Sequence, residues 1–264
     1  MWSTTRTGSR RERRQPVAPA AMIVAIPARC EAATIGRCLE SVFAAADALD
    51  PSTPCLVTVA ADCCTDGTAA RARSVARDRR DLSVLEGDWG SAGGARGAAV
   101  DHALAMAALH HDDLDRLWIA TTDADTVVPR SWLRDHHRYA SEGYDAVAGV
   151  VELLDDHDRT PAISGRFLNH YRVDDHSHPH VHGANMGVRA SAYVNAGGFL
   201  DLSVGEDHAL WGALHDVGAS RLAPTSLTVA TSARVEGRAR GGFADTLNLL
   251  LAGEQPPALA RIER

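Results

Sequence analysis

Apolar positions along this chain fall into short solid runs that alternate with longer segments of helical periodicity. Residues 22–28 (MIVAIPA) form an apolar run closed by proline and alanine. In 34–49, Ile35, Leu39, Val42, Phe43 and Ala46 recur at the three- and four-residue spacing of an amphipathic helix. The pattern repeats: CLVTVAA at 55–61 predicts a strand, and the polar stretch after it a helix capped by Thr65 or Asp66. LSVL at 82–85 predicts a third strand, and GSAGGARGAAVDHALAMAAL at 90–109 a glycine-rich helix entry. LWIATT at 117–122 predicts a fourth strand. Strand and helix alternating with short connections imply a mostly parallel sheet flanked by helices, with ligands expected at the carboxyl ends of its strands. The second half is less regular. Residues 146–153 (AVAGVVEL) read as one strand, 161–173 as a helix, and 181–199 as loop, short strand and short helix. Residues 205–218 form a helix closed by Gly218, 222–232 a strand region, and 241–254 an amphipathic helix. No internal repeat or linker divides the chain.

Three aspartates fall where the sheet would present ligands. Asp62 follows the second strand, where an open sheet meets a nucleotide base or ribose; the alternative is a turn aspartate capping the next helix. Asp123 and Asp125 follow the fourth. Strand side chains alternate in direction, so residues two apart point the same way and both carboxylates can face one spot. Two such charges at about 4 Å repel by roughly 4 kcal/mol at an effective dielectric of about 20, so something cationic must offset them. A divalent metal or an arginine would serve, hard cations such as Mg2+ and Mn2+ favouring carboxylate oxygens shared with substrate phosphates. Ordinary turns and helix caps also produce this spacing.

Composition narrows the chemistry. At 264 residues the chain suits one large domain, and its formal net charge of -7 gives no global attraction to nucleic acid or anionic lipid. All 27 of its basic Lys+Arg residues are arginine. That excludes a P-loop lysine, a Schiff-base lysine and a kinase-type lysine, and leaves arginine, backbone N–H groups or a metal to meet any phosphate. A GC-rich genome accounts for the same bias. Five cysteines without a C-x-x-C pair suggest reduced residues of a cytoplasmic protein. Residues 1–20 hold clustered arginines but no apolar core of a signal peptide, and read as a disordered basic arm. No apolar run reaches the roughly 18 residues of a membrane span.

Four further groups carry candidate chemistry, each with an ordinary structural alternative. Arg96, at the glycine-rich helix entry, can meet a phosphate, although helix entry alone explains the glycines. Glu206 and Asp207 open a helix, where the dipole favours acids; one of them can instead act as a general base. Alternating His178, His180 and His182, with His170 and His176 nearby, can line an extended segment. No H-E-x-x-H pattern supports zinc, and a polar loop touching an acceptor is the other reading. Arg234, Arg238 and Arg240 can clamp a diphosphate or lie in a solvated loop.

Taken in order, VAIPARCEAATIGRCLESV, VTVAADCCTDGTA, ATTDADTVVPRSWL and GANMGVRASAYVNAGGF with GEDHALWGAL resemble the family 2 glycosyltransferases of GT-A fold, over about residues 22–220. The resemblance implies a single Rossmann-like GT-A domain over 21–264. Its nucleotide-binding half would span about 21–126 and its acceptor-binding half about 127–264. It implies a nucleotide-diphosphate sugar donor, a divalent metal (Mn2+ or Mg2+) and inversion at the anomeric carbon. By the same resemblance, Pro27, Ala28 and Glu31 lie in the first donor loop and Asp62 binds the base. Asp123 and Asp125 form the donor and metal motif, with Asp125 the direct ligand, while Asp207 is the general base with Glu206 beside it. Arg238 and Arg240 are added here from charge and position as leaving-group contacts. Ala61 and Cys63 depart from the common pattern and leave the base open, with UDP favoured over GDP. The Q-x-x-R-W motif of processive synthases is missing, which implies a soluble enzyme adding one sugar at a time to an acceptor the sequence does not identify. The competing expectations are a sugar nucleotidyltransferase, a catalytically silent nucleotide-sugar-binding protein and a retaining transferase.

Overall fold

A computed structural model describes residues 16–77, 79–154 and 177–234, together with Asp245, Asn248, Leu249 and Ala252. The first two strands, β1 (Ala21–Ala28) and β2 (Cys55–Asp62), are joined through helix α1 (Ile35–Ala46). Helix α2 (Thr68–Val75), strand β3 (Leu82–Gly87), helix α3 (Ala92–Ala107) and strand β4 (Leu117–Thr121) follow. Then come β5 (Thr126–Val127), α4 (Trp132–Ser141), β6 (Ala146–Ala148), β7 (Val150–Leu153) and β8 (Met186–Arg189). The described chain continues through α5 (Ala190–Asn195), α6 (Glu206–Asp216), β9 (Arg221–Leu222) and β10 (Thr228–Thr231).

Seven strands form the central sheet in the order β3-β2-β1-β4-β8-β6-β9, and every neighbouring pair is parallel except those made by β8. The sheet is buried on both faces, which is why β1 reads as a solid apolar run rather than as an alternation. Met22, Val24 and Ile26 face a core built with α1, α2 and α4, whereas Ala21, Ile23 and Ala25 face one built with α3, α5 and α6. This is the expected α/β architecture.

Register decides what the sheet presents. Ala28 pairs with Ala61, Asp62 with Gly87, and Ala25 with Thr121, so the loops after β1, β2, β3 and β4 leave by one edge. β8 runs antiparallel with Met186 opposite Thr121, which brings the preceding 3-10 turn, Gly183–Asn185, to that same edge.

Several local expectations change. Residues 146–153 are two strands rather than one: β6 belongs to the large sheet, whereas β7 pairs with β10 in a three-stranded sheet ordered β5-β10-β7. The switch occurs at Gly149, where a Cβ would lie 2.2 Å from Asn185 Nδ2 and 2.4 Å from the Leu227 carbonyl. Asn185 stitches the junction. Its Nδ2 donates to the carbonyls of Val150 and Leu227, its carbonyl accepts from Gly149 N–H, and its Oδ1 accepts from Trp132 Nε1. Helix α4 is absent from the elements expected above, although Trp132, Leu133, His136, Tyr139 and Ala140 are all buried at helical spacing. The cap of α2 is Gly67, while Asp66 Oδ1 accepts the Thr68 N–H at 3.0 Å. Within the first twenty residues, Pro19 and Ala20 contact the fold through His137 and Arg116, and Val17 through Arg189; residues 1–15 lie outside the described residues. So does the helix expected at 161–173, and of 241–254 only the four residues named above are described, each helical.

Candidate functional site

Among the described residues, Pro27, Ala28, Glu31, Asp62, Arg96, Asp123, Asp125, Glu206 and Asp207 of the expected site gather at the carboxyl edge of the large sheet. Asp62 ends β2 and is 3% exposed. Its Oδ1 accepts the Gly90 N–H at 2.8 Å and the Cys63 thiol at 3.2 Å, while Arg29 lies 3.8 Å from Oδ2. Pro27 and Ala28 close β1, and Glu31 sits in the loop beyond, its N–H donating to Thr68 Oγ1 at 2.8 Å and its Oε2 accepting from Thr34 Oγ1 at 2.8 Å.

Asp123 and Asp125 occupy a turn rather than a continuation of the strand: β4 stops at Thr121, and Thr126 N–H donates to the Asp123 carbonyl at 3.0 Å. Strand alternation is therefore not what aims the two carboxylates. Each meets its own arginine. Arg96 Nη2 lies 2.9 Å from Asp123 Oδ1, and Arg234 Nη2 lies 3.2 Å from Asp125 Oδ2, with Nη1 of the same Arg234 2.5 Å from Glu31 Oε1. Burial pushes the Asp125 carboxyl up to about 7; the Arg234 guanidinium opposes that shift, and the neighbouring charges of Asp123 and Glu31 add to it.

Arg96 is 3% exposed and reaches across the site from the first turns of α3. Besides Asp123 it holds Glu206 Oε1 at 3.2 Å and donates to the Gly183 carbonyl at 3.1 Å. Burial alone would lower its pKa, but the carboxylates of Asp123 and Glu206 outweigh burial and keep it above its ordinary value. Glu206 shifts upward, chiefly because it is buried, with Arg96 opposing and Asp207 reinforcing the shift. Arg96 and Glu206 are buried and pair with each other, while Asp123, 38% exposed, brings the second carboxylate to Arg96 from the solvent side.

Asp207 stands at the start of α6, where Gly205 caps the helix. Its Oδ2 accepts the Gly183 N–H at 2.8 Å and its Oδ1 the His208 N–H at 2.7 Å. Gly183 therefore links both halves of the site, since its carbonyl also accepts from Thr121 Oγ1 at 2.7 Å. A Cβ there would lie 2.5 Å from Arg96 Nη2. Sequence reasoning missed Gly183 and Thr121 because their roles depend on β8 running antiparallel beside β4, which no local pattern announces.

The alternating histidines form a row, not a convergent ligand set. The rings of His178 and His180 lie 6.0 Å apart and those of His180 and His182 6.1 Å apart, each pair nearly parallel. Loss of solvent around its ring, followed by the neighbouring imidazoles, pushes His182 down to about 3. Among the described residues, the cluster of potential metal ligands lies elsewhere, at Cys30, Cys64 and Asp66. His170, His176, Arg238 and Arg240 fall outside the described residues. No described helix is long and apolar enough to cross a membrane.

Comparison with known proteins agrees with the fold. The model of the family described as "Glycosyl transferase family 2" matches residues 23–195. Among curated proteins none gives a significant match. Among solved structures, the chain is similar to the mannosyltransferase PcManGT from Pyrobaculum calidifontis in complex with GDP-Man and Mn2+. The TM-score is 0.58 and the identity 22%, over 85% of this chain and 59% of that one. It is also similar to S. aureus TarS 1–349 in complex with UDP-GlcNAc (TM-score 0.59, 16% identity, 83% of this chain and 60% of that one). The complex of TarS 1–349 with UDP gives TM-score 0.57 and 15% identity, over 88% of this chain and 64% of that one. At these identities the likeness establishes the fold, and the chain spans about three-fifths of the length of each of these three neighbours.

Proposed function

The chain belongs to glycosyl transferase family 2, and from that premise we propose that it moves one sugar from a nucleotide-diphosphate sugar to an acceptor hydroxyl, inverting the anomeric carbon. The observation that carries this reading is the gathering of Asp62, Asp123, Asp125, Glu206 and Asp207 at the carboxyl edge of one sheet, where an α/β fold binds nucleotides. Asp62 receives the base or ribose, and the loop carrying Pro27, Ala28 and Glu31 borders it. A UDP-sugar is the favoured donor. The neighbours with UDP-GlcNAc and GDP-Man show that this fold takes either base.

Asp123 and Asp125 fit a divalent cation by donor type: two hard carboxylate oxygens, with diphosphate oxygens free to complete the set. Both carboxylates already attract cationic partners, Arg96 and Arg234. Mn2+ or Mg2+ held there would neutralise charge growing on the departing diphosphate. Asp123 stays aimed because Arg96 holds one of its oxygens. Asp207 takes the proton from the acceptor hydroxyl, oriented by the N–H groups of Gly183 and His208. Arg234, and beyond it Arg238 and Arg240, supply the positive charge that lysine supplies elsewhere.

Incubating the protein with UDP- and GDP-sugars and Mn2+, then measuring nucleoside diphosphate release with and without pooled hydroxyl acceptors, tests the reading. Release that depends on Asp207 and rises with acceptor supports transfer. Donor binding without any release identifies a silent nucleotide-sugar-binding protein instead. Product anomeric configuration separates inversion from retention.

A further inference from the structure

We propose that Cys30, Cys64 and Asp66 form a binding site for a thiophilic divalent cation such as Zn2+, which ties the loop after β1 to the loop after β2. This inference does not rest on the glycosyl-transfer reading. The two Sγ atoms and one carboxylate oxygen all lie within 4.8 Å of one another. Zinc–sulfur bonds of about 2.3 Å and zinc–oxygen bonds of about 2.0–2.2 Å in a tetrahedron place ligand atoms roughly 3.5–3.8 Å apart. Closing the cluster therefore needs side-chain movements of about 1 Å, within rotamer adjustment and without a change of fold.

The ligands are already supported by the backbone. Asp66 Oδ2 accepts the Ala32 N–H at 3.1 Å and its Oδ1 the Thr68 N–H at 3.0 Å, which fixes the carboxylate between the two loops. Cys64 Sγ accepts the Cys30 N–H at 3.2 Å, a contact that strengthens when the thiol becomes a thiolate. Cys30 and Cys64 are half-buried and Asp66 is exposed, so an ion can enter from solvent and keep water in its fourth position. Coordination displaces both thiol protons to solvent. Two soft sulfurs and one oxygen select Zn2+ over Mg2+ or Mn2+, the opposite preference to the all-oxygen pair Asp123 and Asp125.

The other three cysteines do not share this environment. Cys38 and Cys55 are buried in the core, Cys38 with its thiol donating to the Asp123 carbonyl at 3.3 Å. Cys63 turns its thiol to Asp62. Glu31 follows Cys30 and Asp62 precedes Cys64 by two residues, so an ion here would fix the spacing of the two loops that border the candidate site.

Reduced, chelator-treated full-length protein titrated with Co2+ should develop a thiolate-to-cobalt charge-transfer absorption that saturates at one equivalent. One equivalent of Zn2+ should abolish it, and excess Mg2+ should leave it. Cys30→Ser and Cys64→Ser should each remove the band, Asp66→Asn should weaken it, and Asp125→Asn should not alter it. Should a cysteine variant fail to fold, alkylation of the wild-type protein followed by mass spectrometry gives the same answer, with Zn2+ protecting Cys30 and Cys64 but not Cys63. A band absent at stoichiometric Co2+, a band that survives both serine substitutions, or equal alkylation of all three thiols with and without Zn2+ overturns the proposal.

Discussion

Arg96 Nη2 alone holds a carboxylate oxygen of Asp123 at 2.9 Å and one of Glu206 at 3.2 Å, on a side chain 3% exposed. Removing one partner from a buried ionic group leaves the others desolvated and unpaired, a loss of about 3–5 kcal/mol. Arg96→Met should accordingly lower the free energy of unfolding by about 3 kcal/mol, chiefly through the stranded Glu206 because Asp123 is partly solvated, and a change under about 1 kcal/mol in urea unfolding would contradict the buried ion pair. Arg96→Lys should recover only part, because an ammonium is a point charge without the planar fork that also reaches the Gly183 carbonyl. Asp207 has a different character. Its two oxygens each accept a backbone N–H, so Asp207→Asn keeps the size and removes the base while retaining one of the two hydrogen bonds. Transfer should vanish with donor affinity nearly unchanged, as read by turnover beside calorimetric titration of the donor. Unchanged turnover removes Asp207 from the role.

Helix α4 and the Gly149 junction show what elements add to residues. Gly149→Ala would drive a methyl carbon into Asn185 and the Leu227 carbonyl, where neither backbone nor stitched amide can retreat, and should destabilise by about 3 kcal/mol or more. A melting temperature within a degree or two of the wild type would mean that the two sheets are not pinned there. On α4, His136 is fully buried, accepts from Trp118 Nε1 at 3.3 Å through Nδ1, and is pushed down to about 3 by burial. The unfolded chain takes up a proton near pH 6.5, whereas the folded one does so only near pH 3. His136 thus contributes stability above about pH 6.5 that is lost as pH falls toward 3. His136→Asn should reduce the stability lost between pH 7 and pH 5 by roughly 2 kcal/mol, measured as the pH dependence of urea unfolding; an unchanged slope contradicts the buried neutral ring. The first four strands and the three helices between them were legible because β1, β2 and β4 are solid apolar runs buried on both faces and the segments between them carry helical spacing or helix-entry signals. Helix α4 was not recognised, since His136 occupies one of its core positions and looks polar. The split of 146–153 was hidden too, because the glycine that switches sheets sits inside an unbroken apolar run.

For the whole molecule, the candidate site was legible to the extent that it lies at strand ends. Asp62, Asp123, Asp125, Glu206 and Asp207 could be chosen from position and from family resemblance. What the sequence did not disclose is the pairing: Arg96 with Asp123 and Glu206, Arg234 with Asp125 and Glu31, and Gly183 between Arg96 and Asp207. Those contacts join segments up to about two hundred residues apart, and only the sheet order brings them together. The lysine-free composition does foretell their chemistry, for every cation in the cluster is an arginine. The proposed role of this edge is to bind a nucleotide-diphosphate sugar with a divalent metal. Its most direct test is the thermal midpoint of the purified protein against UDP- and GDP-sugars, each with and without Mn2+, for the wild type and for Asp125→Asn. A donor at about 100 times its dissociation constant stabilises by about 2.7 kcal/mol, enough to raise the midpoint by several degrees. Such a rise is expected with one class of nucleotide sugar, dependent on Mn2+ and lost in Asp125→Asn. No rise with any nucleotide sugar, or an equal rise in the variant, would contradict it.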